Sequence, residues 1–139
     1  MSCSGRRRSD RPPAFQGSPP LRYRSFWSIS GATPVFADVK DDQTLDPQAI
    51  EKAITPRTKA IMPVHQIGMP ADLDRFLALG DKYGIHILED AACAIGSEYK
   101  GKRIGGHSEL ACFSLHPRKI ITTGDGGVIT TNHSHYASR

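Results

Sequence analysis

From residue 34 onward, short apolar runs alternate with stretches whose apolar residues recur at helical spacing, which predicts strand and helix in turn. Val35–Val39 reads as a strand. Asp46 then supplies an N-cap and Pro47 the first helical position, with Ile50, Ala53 and Ile54 on one face and Pro56 as the stop. Lys59–His65 is the next strand, although Pro63 weakens it. Pro70 opens a second helix with Asp72 and Asp74 in its first turn, an apolar face of Leu73, Phe76, Leu77 and Tyr83, Lys82 in the last turn and Gly84 at the end. His86–Asp90 is a third strand closed by two carboxylates. Tyr99–Arg103 reads as a hairpin turn, Leu110–Leu115 as a strand and Val128–Thr131 as another. Strand, helix, strand, helix, strand with short connections predicts an α/β fold with an at least partly parallel sheet.

Composition divides the chain in two. The net charge of +4 arises in residues 1–33, where six arginines face Asp10 alone; residues 34–139 hold twelve Lys/Arg against thirteen Asp/Glu. Nucleic-acid binding would therefore rest on the stretch Arg6–Arg24 alone, since the folded part is roughly neutral. Residues 1–30 contain Pro12-Pro13 and Pro19-Pro20, seven serines and no apolar periodicity, and are expected to be a disordered leader. No apolar segment follows Arg6–Arg8, as a secretory signal requires, and the prolines oppose the amphipathic helix of a transit peptide. No run approaches the roughly 20 apolar residues of a membrane span. Cys3, Cys93 and Cys112 form no CxxC, and the six histidines no ligand spacing, so reduced thiols, a cytoplasmic location and no metal are expected. His133 and His135 lie in a polar end and are expected to be exposed.

In a mostly parallel sheet, ligands bind beyond the carboxyl ends of the strands. His65 and Asp90 both fall there, which already marks a candidate cleft. Glu89 either caps a following helix or, held inside the cleft, needs a cationic partner. Lys119 follows the Leu110–Leu115 strand, after Ser114 and His116 and before Gly124–Gly127. A nucleophilic lysine must lose its proton, and burial or a neighbouring cation such as Arg118 favours that loss. Alone, Lys119 is more simply a structural loop lysine, and the glycine cluster a turn leading into Val128.

Taken together and in order, five segments resemble one family: Gly31–Val39, Ile54–Ile61, Pro63–Gly68 with Pro70–Asp72, Glu89–Gly96, and Phe113–Lys119 through Thr122–Gly127. They are similar to the sugar aminotransferases of the DegT/DnrJ/EryC/StrS family, over about residues 31–132. The resemblance implies the large domain of a pyridoxal-phosphate-dependent transferase of fold type I, the aspartate-aminotransferase fold. It also implies that this domain is incomplete, with residues 31–139 a central piece of it and residues 1–30 outside the likeness.

By that resemblance Lys119 matches the lysine that carries pyridoxal 5'-phosphate as an aldimine and then serves as the proton carrier. Asp90 matches the carboxylate that pairs with the pyridinium nitrogen, and Ser114 a phosphate-contacting hydroxyl. Cys93 stands where many members carry a glutamine touching the cofactor ring, and cysteine is a poor hydrogen-bonding substitute. His65 and His116 match motif positions without an assigned role. Dehydratase relatives carry histidine at the lysine position, so Lys119 implies amino transfer. The expected reaction moves an amino group from an amino acid, glutamate by expectation, to a keto group of a nucleotide-linked deoxysugar destined for polysaccharide or antibiotic sugars. A homodimer is expected for a complete member. The alternative is a non-catalytic remnant or interaction protein that keeps part of the fold without turnover.

Overall fold

The computed structural model describes residues 13–17 as backbone and residues 31–138 in full. Among these, a six-stranded sheet is built from β1 (Pro13–Gly17), β2 (Thr33–Ala37), β3 (Ala60–Met62), β4 (His86–Asp90), β7 (Leu110–Ser114) and β8 (Gly127–Thr130), in the spatial order β2-β1-β3-β4-β7-β8. All neighbours are parallel except the β7–β8 pair. A two-stranded antiparallel hairpin, β5 (Glu98–Tyr99) and β6 (Lys102–Arg103), stands apart. Its two central residues, Lys100 and Gly101, both have positive φ, as a two-residue hairpin turn of this hand requires.

The strand β1 departs from expectation. Pro13–Gly17 falls within the segment expected to be disordered, yet its backbone pairs with β2 on one side and β3 on the other. Local composition gave no sign of it, because a strand flanked on both sides is stabilised by its neighbours' unpaired N–H and C=O groups more than by its own sequence. The remainder of the expected leader lies outside the described residues.

Helix α1 (Pro47–Ala53) begins as its sequence predicts. Asp46 accepts a hydrogen bond from the Gln48 N–H at 2.9 Å, and Ile50 is fully buried. Helix α2 (Leu73–Tyr83) starts later than Pro70. Asp72 occupies its N-cap but turns its carboxylate outward, accepting from the Tyr99 hydroxyl at 2.9 Å, while Asp74 pairs with Lys100. The two acids thus tether the hairpin to the helix rather than closing its first turn. The buried face of α2 is Leu73, Phe76, Leu79 and Gly80. Tyr83, expected on that face, is exposed instead and donates its hydroxyl to Glu51, which also receives Lys82. Gly84 ends the helix in the left-handed conformation (φ 65°).

The second predicted strand, Lys59–His65, shrinks to Ala60–Met62. Pro63 contributes only its carbonyl, accepting from Asp90 N at 2.9 Å, and Val64 pairs as an isolated bridge to Asp90. A short α3 (Ser134–Ala137) closes the described chain, with His133 and His135 exposed.

One face of the sheet is covered. Ile61 and Ile87 meet Leu45, Ile50, Ala71, Phe76, Leu79 and Ile85 in a buried cluster, and Ala111 meets Leu73, Ala91, Ala94 and Ile104 in a second. Strand pairing fixes the opposite face: Asp90 lies beside Cys112, which lies beside Ile129. Here Ile129 is 67% exposed and Phe36 41% exposed. Asp90 and Ser114, two of the candidate site residues, lie at the carboxyl ends of their strands on this face.

Candidate active site

Strand β4 ends in Glu89-Asp90, and because successive strand residues face opposite ways, the two carboxylates have opposite fates. Glu89 points into the covered side. Its side chain is 1% exposed and accepts from His65 Nε2 at 2.8 Å and from Ser108 N at 2.9 Å. His65 is equally buried, and its Nδ1 accepts from the Ala71 N–H at 3.0 Å, so the proton sits on Nε2 and is donated to Glu89. Burial alone would push the Glu89 carboxyl up, but the hydrogen bonds from His65 and Ser108 outweigh it and hold it below the ordinary glutamate value. Glu89 is therefore no helix cap. Residues 91–97 form turns rather than a helix, and the His65–Glu89 pair is a buried brace beneath the site.

Asp90 points to the other, open side. One carboxylate oxygen accepts from the Ala92 N–H at 3.0 Å. Its backbone ties three segments together: Asp90 O accepts from His65 N at 3.0 Å, Asp90 N donates to Pro63 O, and the next amide, Ala91 N, donates to Cys112 O at 2.9 Å. Cys112 lies directly opposite on β7, and burial together with the Asp90 charge pushes its thiol up. Ser114, two residues further along β7, shares that face. Its hydroxyl accepts from the His116 N–H at 3.3 Å, leaving its own proton to give outward.

Between β7 and β8 the chain folds back on itself. Leu115 N donates to Gly126 O at 2.9 Å, and Leu115 O accepts from Thr122 Oγ1 at 2.8 Å. Gly124 (φ 90°) and Gly126 (φ 148°) make the reversal possible. Within this loop Lys119 N donates to His116 O at 2.9 Å, and His116 Nδ1 accepts from Arg118 N at 3.3 Å. His116 thus shapes the loop that carries the lysine. The Lys119 Nζ reaches across to Cys93 Sγ at 3.0 Å.

Lys119 and Cys93 are in direct contact, Asp90 stands three residues before Cys93, and Ser114 shares the face of Asp90. His65 lies behind this surface rather than on it. Cys112 was not singled out from the sequence; strand parity opposite Asp90 is the signal that finds it. The pairing of His65 with Glu89 was equally hidden, since the two stand 24 positions apart. Chemically, the set combines an amine, a carboxylate suited to a protonated ring nitrogen, and a hydroxyl suited to a phosphate oxygen. These donors fit pyridoxal phosphate.

A strained backbone position lies in the segment after β3. Ile67, in the 3₁₀ turn Gln66–Gly68, has φ 54° and is 82% exposed. A β-branched residue in the left-handed region carries a cost of order 1–3 kcal/mol. Among the described residues, no helix is long and apolar enough to cross a membrane, and no group of three or more His, Cys, Asp or Glu could hold a metal ion.

The model of the DegT/DnrJ/EryC1/StrS aminotransferase family matches residues 26–139, beginning ahead of Gly31. Solved structures are similar throughout. DesV of S. venezuelae, solved in complex with a ketimine intermediate, is 43% identical with a TM-score of 0.87, over 94% of this chain and 37% of that one. Helicobacter pylori PseC, an aminotransferase involved in the biosynthesis of pseudoaminic acid, is 36% identical with a TM-score of 0.88, over 94% and 35%. Spr1654 from Streptococcus pneumoniae in its PLP form is 30% identical with a TM-score of 0.79, over 87% and 35%. The chain thus spans about a third of the length of the structures it matches.

Proposed function

We propose that this chain, which belongs to the DegT/DnrJ/EryC1/StrS aminotransferase family and has part of the fold type I architecture of its pyridoxal-phosphate-dependent members, is the cofactor-binding portion of a nucleotide-sugar aminotransferase. The observation that carries this reading is the convergence of Lys119 and Asp90. They come from the ends of adjacent strands β7 and β4, and Lys119 touches the residue three places beyond Asp90.

Pyridoxal phosphate, when bound, supplies an electron sink for the carbon that gives or receives the amino group. The chain's own residues do the rest. Asp90 holds a proton on the ring nitrogen by opposing it with a carboxylate, itself aligned by the Ala92 N–H. Ser114 would donate its hydroxyl to the phosphate. Lys119 Nζ would hold the cofactor and, as a free amine, could take and return the proton that the transfer moves. Cys93 offers its sulfur to Lys119 and would stand beside the ring where many members of the family carry an amide side chain. The His65–Glu89 brace keeps the segment after β3 and the end of β4 in register, so Asp90 is aimed without touching substrate itself.

The amino acceptor is the keto group of a nucleotide-linked deoxysugar and the donor an amino acid, glutamate in our reading. The working enzyme is a cytoplasmic homodimer. Support comes from family membership and from the sugar-linked relatives it matches, DesI among them, solved with its TDP-sugar product. The open sheet face, where Ile129 and Phe36 are exposed, favours a second reading, a chain that keeps part of the fold without turnover.

One experiment separates them. The full chain is incubated with pyridoxal phosphate, reduced with borohydride and mapped by peptide mass. A pyridoxyl-phosphate adduct on Lys119, lost in Lys119→Ala and weakened in Asp90→Asn, supports cofactor binding by this chain. Labelling spread over surface lysines, undiminished in Asp90→Asn, refutes it and leaves the non-catalytic reading.

A further inference from the structure

Two reactive side chains meet in the site, Cys93 Sγ and Lys119 Nζ, 3.0 Å apart. Both ends are held by backbone rather than by chance. Cys93 sits between Ala91 and Ala94, which are fully buried and joined by the Ala94 N to Ala91 O hydrogen bond at 2.9 Å; Lys119 is pinned through His116 O at 2.9 Å. Cys93 is exposed, so a small oxidant reaches it. We propose that Cys93 and Lys119 are a covalent modification site: peroxide oxidation of the Cys93 thiol closes a reversible sulfur–nitrogen bond to the Lys119 side chain.

The chemistry balances in two steps. The Cys93 thiolate attacks one oxygen of hydrogen peroxide; the O–O bond breaks, hydroxide leaves and takes a proton to become water, and the sulfur is oxidised to a sulfenic acid. The neutral Lys119 amine then attacks that sulfur. An S–N bond forms, the S–O bond breaks, and the departing hydroxide takes a proton from the nitrogen as a second water. No further oxidant is required. Two equivalents of a small thiol reverse it: the first displaces the amine to give a mixed disulfide, and the second releases Cys93.

Sulfenic acids condense with whichever nucleophile is nearest, a thiol or a nitrogen, so neighbouring geometry selects the product. Closing from hydrogen-bond distance needs only rotation of the flexible lysine stem. The second exposed thiol provides a contrast within the same site. Cys112 lies opposite the Asp90 carboxylate, which together with burial disfavours the reactive thiolate, whereas Cys93 faces an amine. The cross-link stands on this geometry alone. Its consequence, that oxidation withdraws the amine from cofactor capture, rests on the function proposed above.

The test uses the full chain titrated with hydrogen peroxide and digested without reductant. The expected product is one peptide pair joined through Cys93 and Lys119, lighter than the two peptides together by two hydrogens. It reverts with dithiothreitol, persists in Cys112→Ser, and is absent from Cys93→Ser and Lys119→Arg. Sulfinic Cys93 beside unmodified Lys119, or a Cys93–Cys112 disulfide as the main product, overturns the proposal. Borohydride labelling with pyridoxal phosphate, before and after peroxide, separates the two ideas. The link without any label in the reduced protein defeats the cofactor reading alone, and specific label without the link defeats the cross-link alone. With both intact, peroxide lowers Lys119 labelling at least tenfold and thiol restores it.

Discussion

Glu89→Gln isolates the brace beneath the site, because it preserves shape and removes one acceptor. The native carboxylate accepts twice, from His65 Nε2 at 2.8 Å and from Ser108 N at 2.9 Å. An amide has a single acceptor end, so its NH₂ must face one of those two donors. Neither donor can adapt. Ser108 contributes a backbone N–H, and His65 cannot move its proton to Nδ1 because that atom already accepts from Ala71 N. One charge-assisted hydrogen bond is lost and one buried donor is orphaned, for about 3 kcal/mol of destabilisation. In a chain of this size that lowers Tm by roughly 10 °C. Urea titration followed by circular dichroism at pH 7 should show a lower midpoint with an unchanged slope.

The pH dependence supplies a second reading of the same variant. The folded-state value of Glu89 lies below its ordinary one, so folding favours the ionised form. That contribution is fully present above the ordinary glutamate value of about 4.3 and fades as pH falls through the folded value. Wild type and Glu89→Gln should therefore converge in acid. Replacing both partners, His65→Leu with Glu89→Leu, should not restore stability, since the Ala71 and Ser108 N–H groups stay buried without acceptors. A Glu89→Gln protein within about 0.5 kcal/mol of wild type at pH 7, with a gap that stays constant in acid, would refute the argument.

Other substitutions should separate close packing from open surface. A Cβ at Gly80 would meet Ile85 O at 2.9 Å, so Gly80→Ala should force α2 off β4 and cost about 1–3 kcal/mol by thermal melt, despite alanine's better helix propensity. Gly105→Ala combines φ 97° with contacts of 2.8–2.9 Å to Thr130 and Phe113 and should be worse still, with little folded protein recovered. Asp46→Ala removes the α1 cap and should cost about 1 kcal/mol in urea titration. Ile129→Lys, on the open face, should change stability by no more than about 0.5 kcal/mol; a loss above 2 kcal/mol would show that face to be covered in solution.

Local patterning determined the elements with strong local causes. His86–Asp90 appears as read, an apolar run bounded by Gly84 and by two acids, and α1 starts at Asp46-Pro47 because cap and proline act within one turn. The order of motifs also pointed to the family, since glycines, proline and the lysine at fixed spacing survive in sequence whatever the surrounding fold. What pairing across the sheet decides was not legible. Pro13–Gly17 becomes a strand through neighbours that arrive later in the chain, Tyr83 leaves the apolar face to reach Glu51 on another helix, and Asp72 caps a hairpin contact instead of its own helix. The division of labour between Glu89 and Asp90 is the sharpest case. Two adjacent carboxylates look alike in sequence, but strand alternation sends one into the core to meet His65 and the other onto the face that Cys112 and Ser114 share. Local chemistry named the residues; long-range packing decided which of them brace the site and which line it.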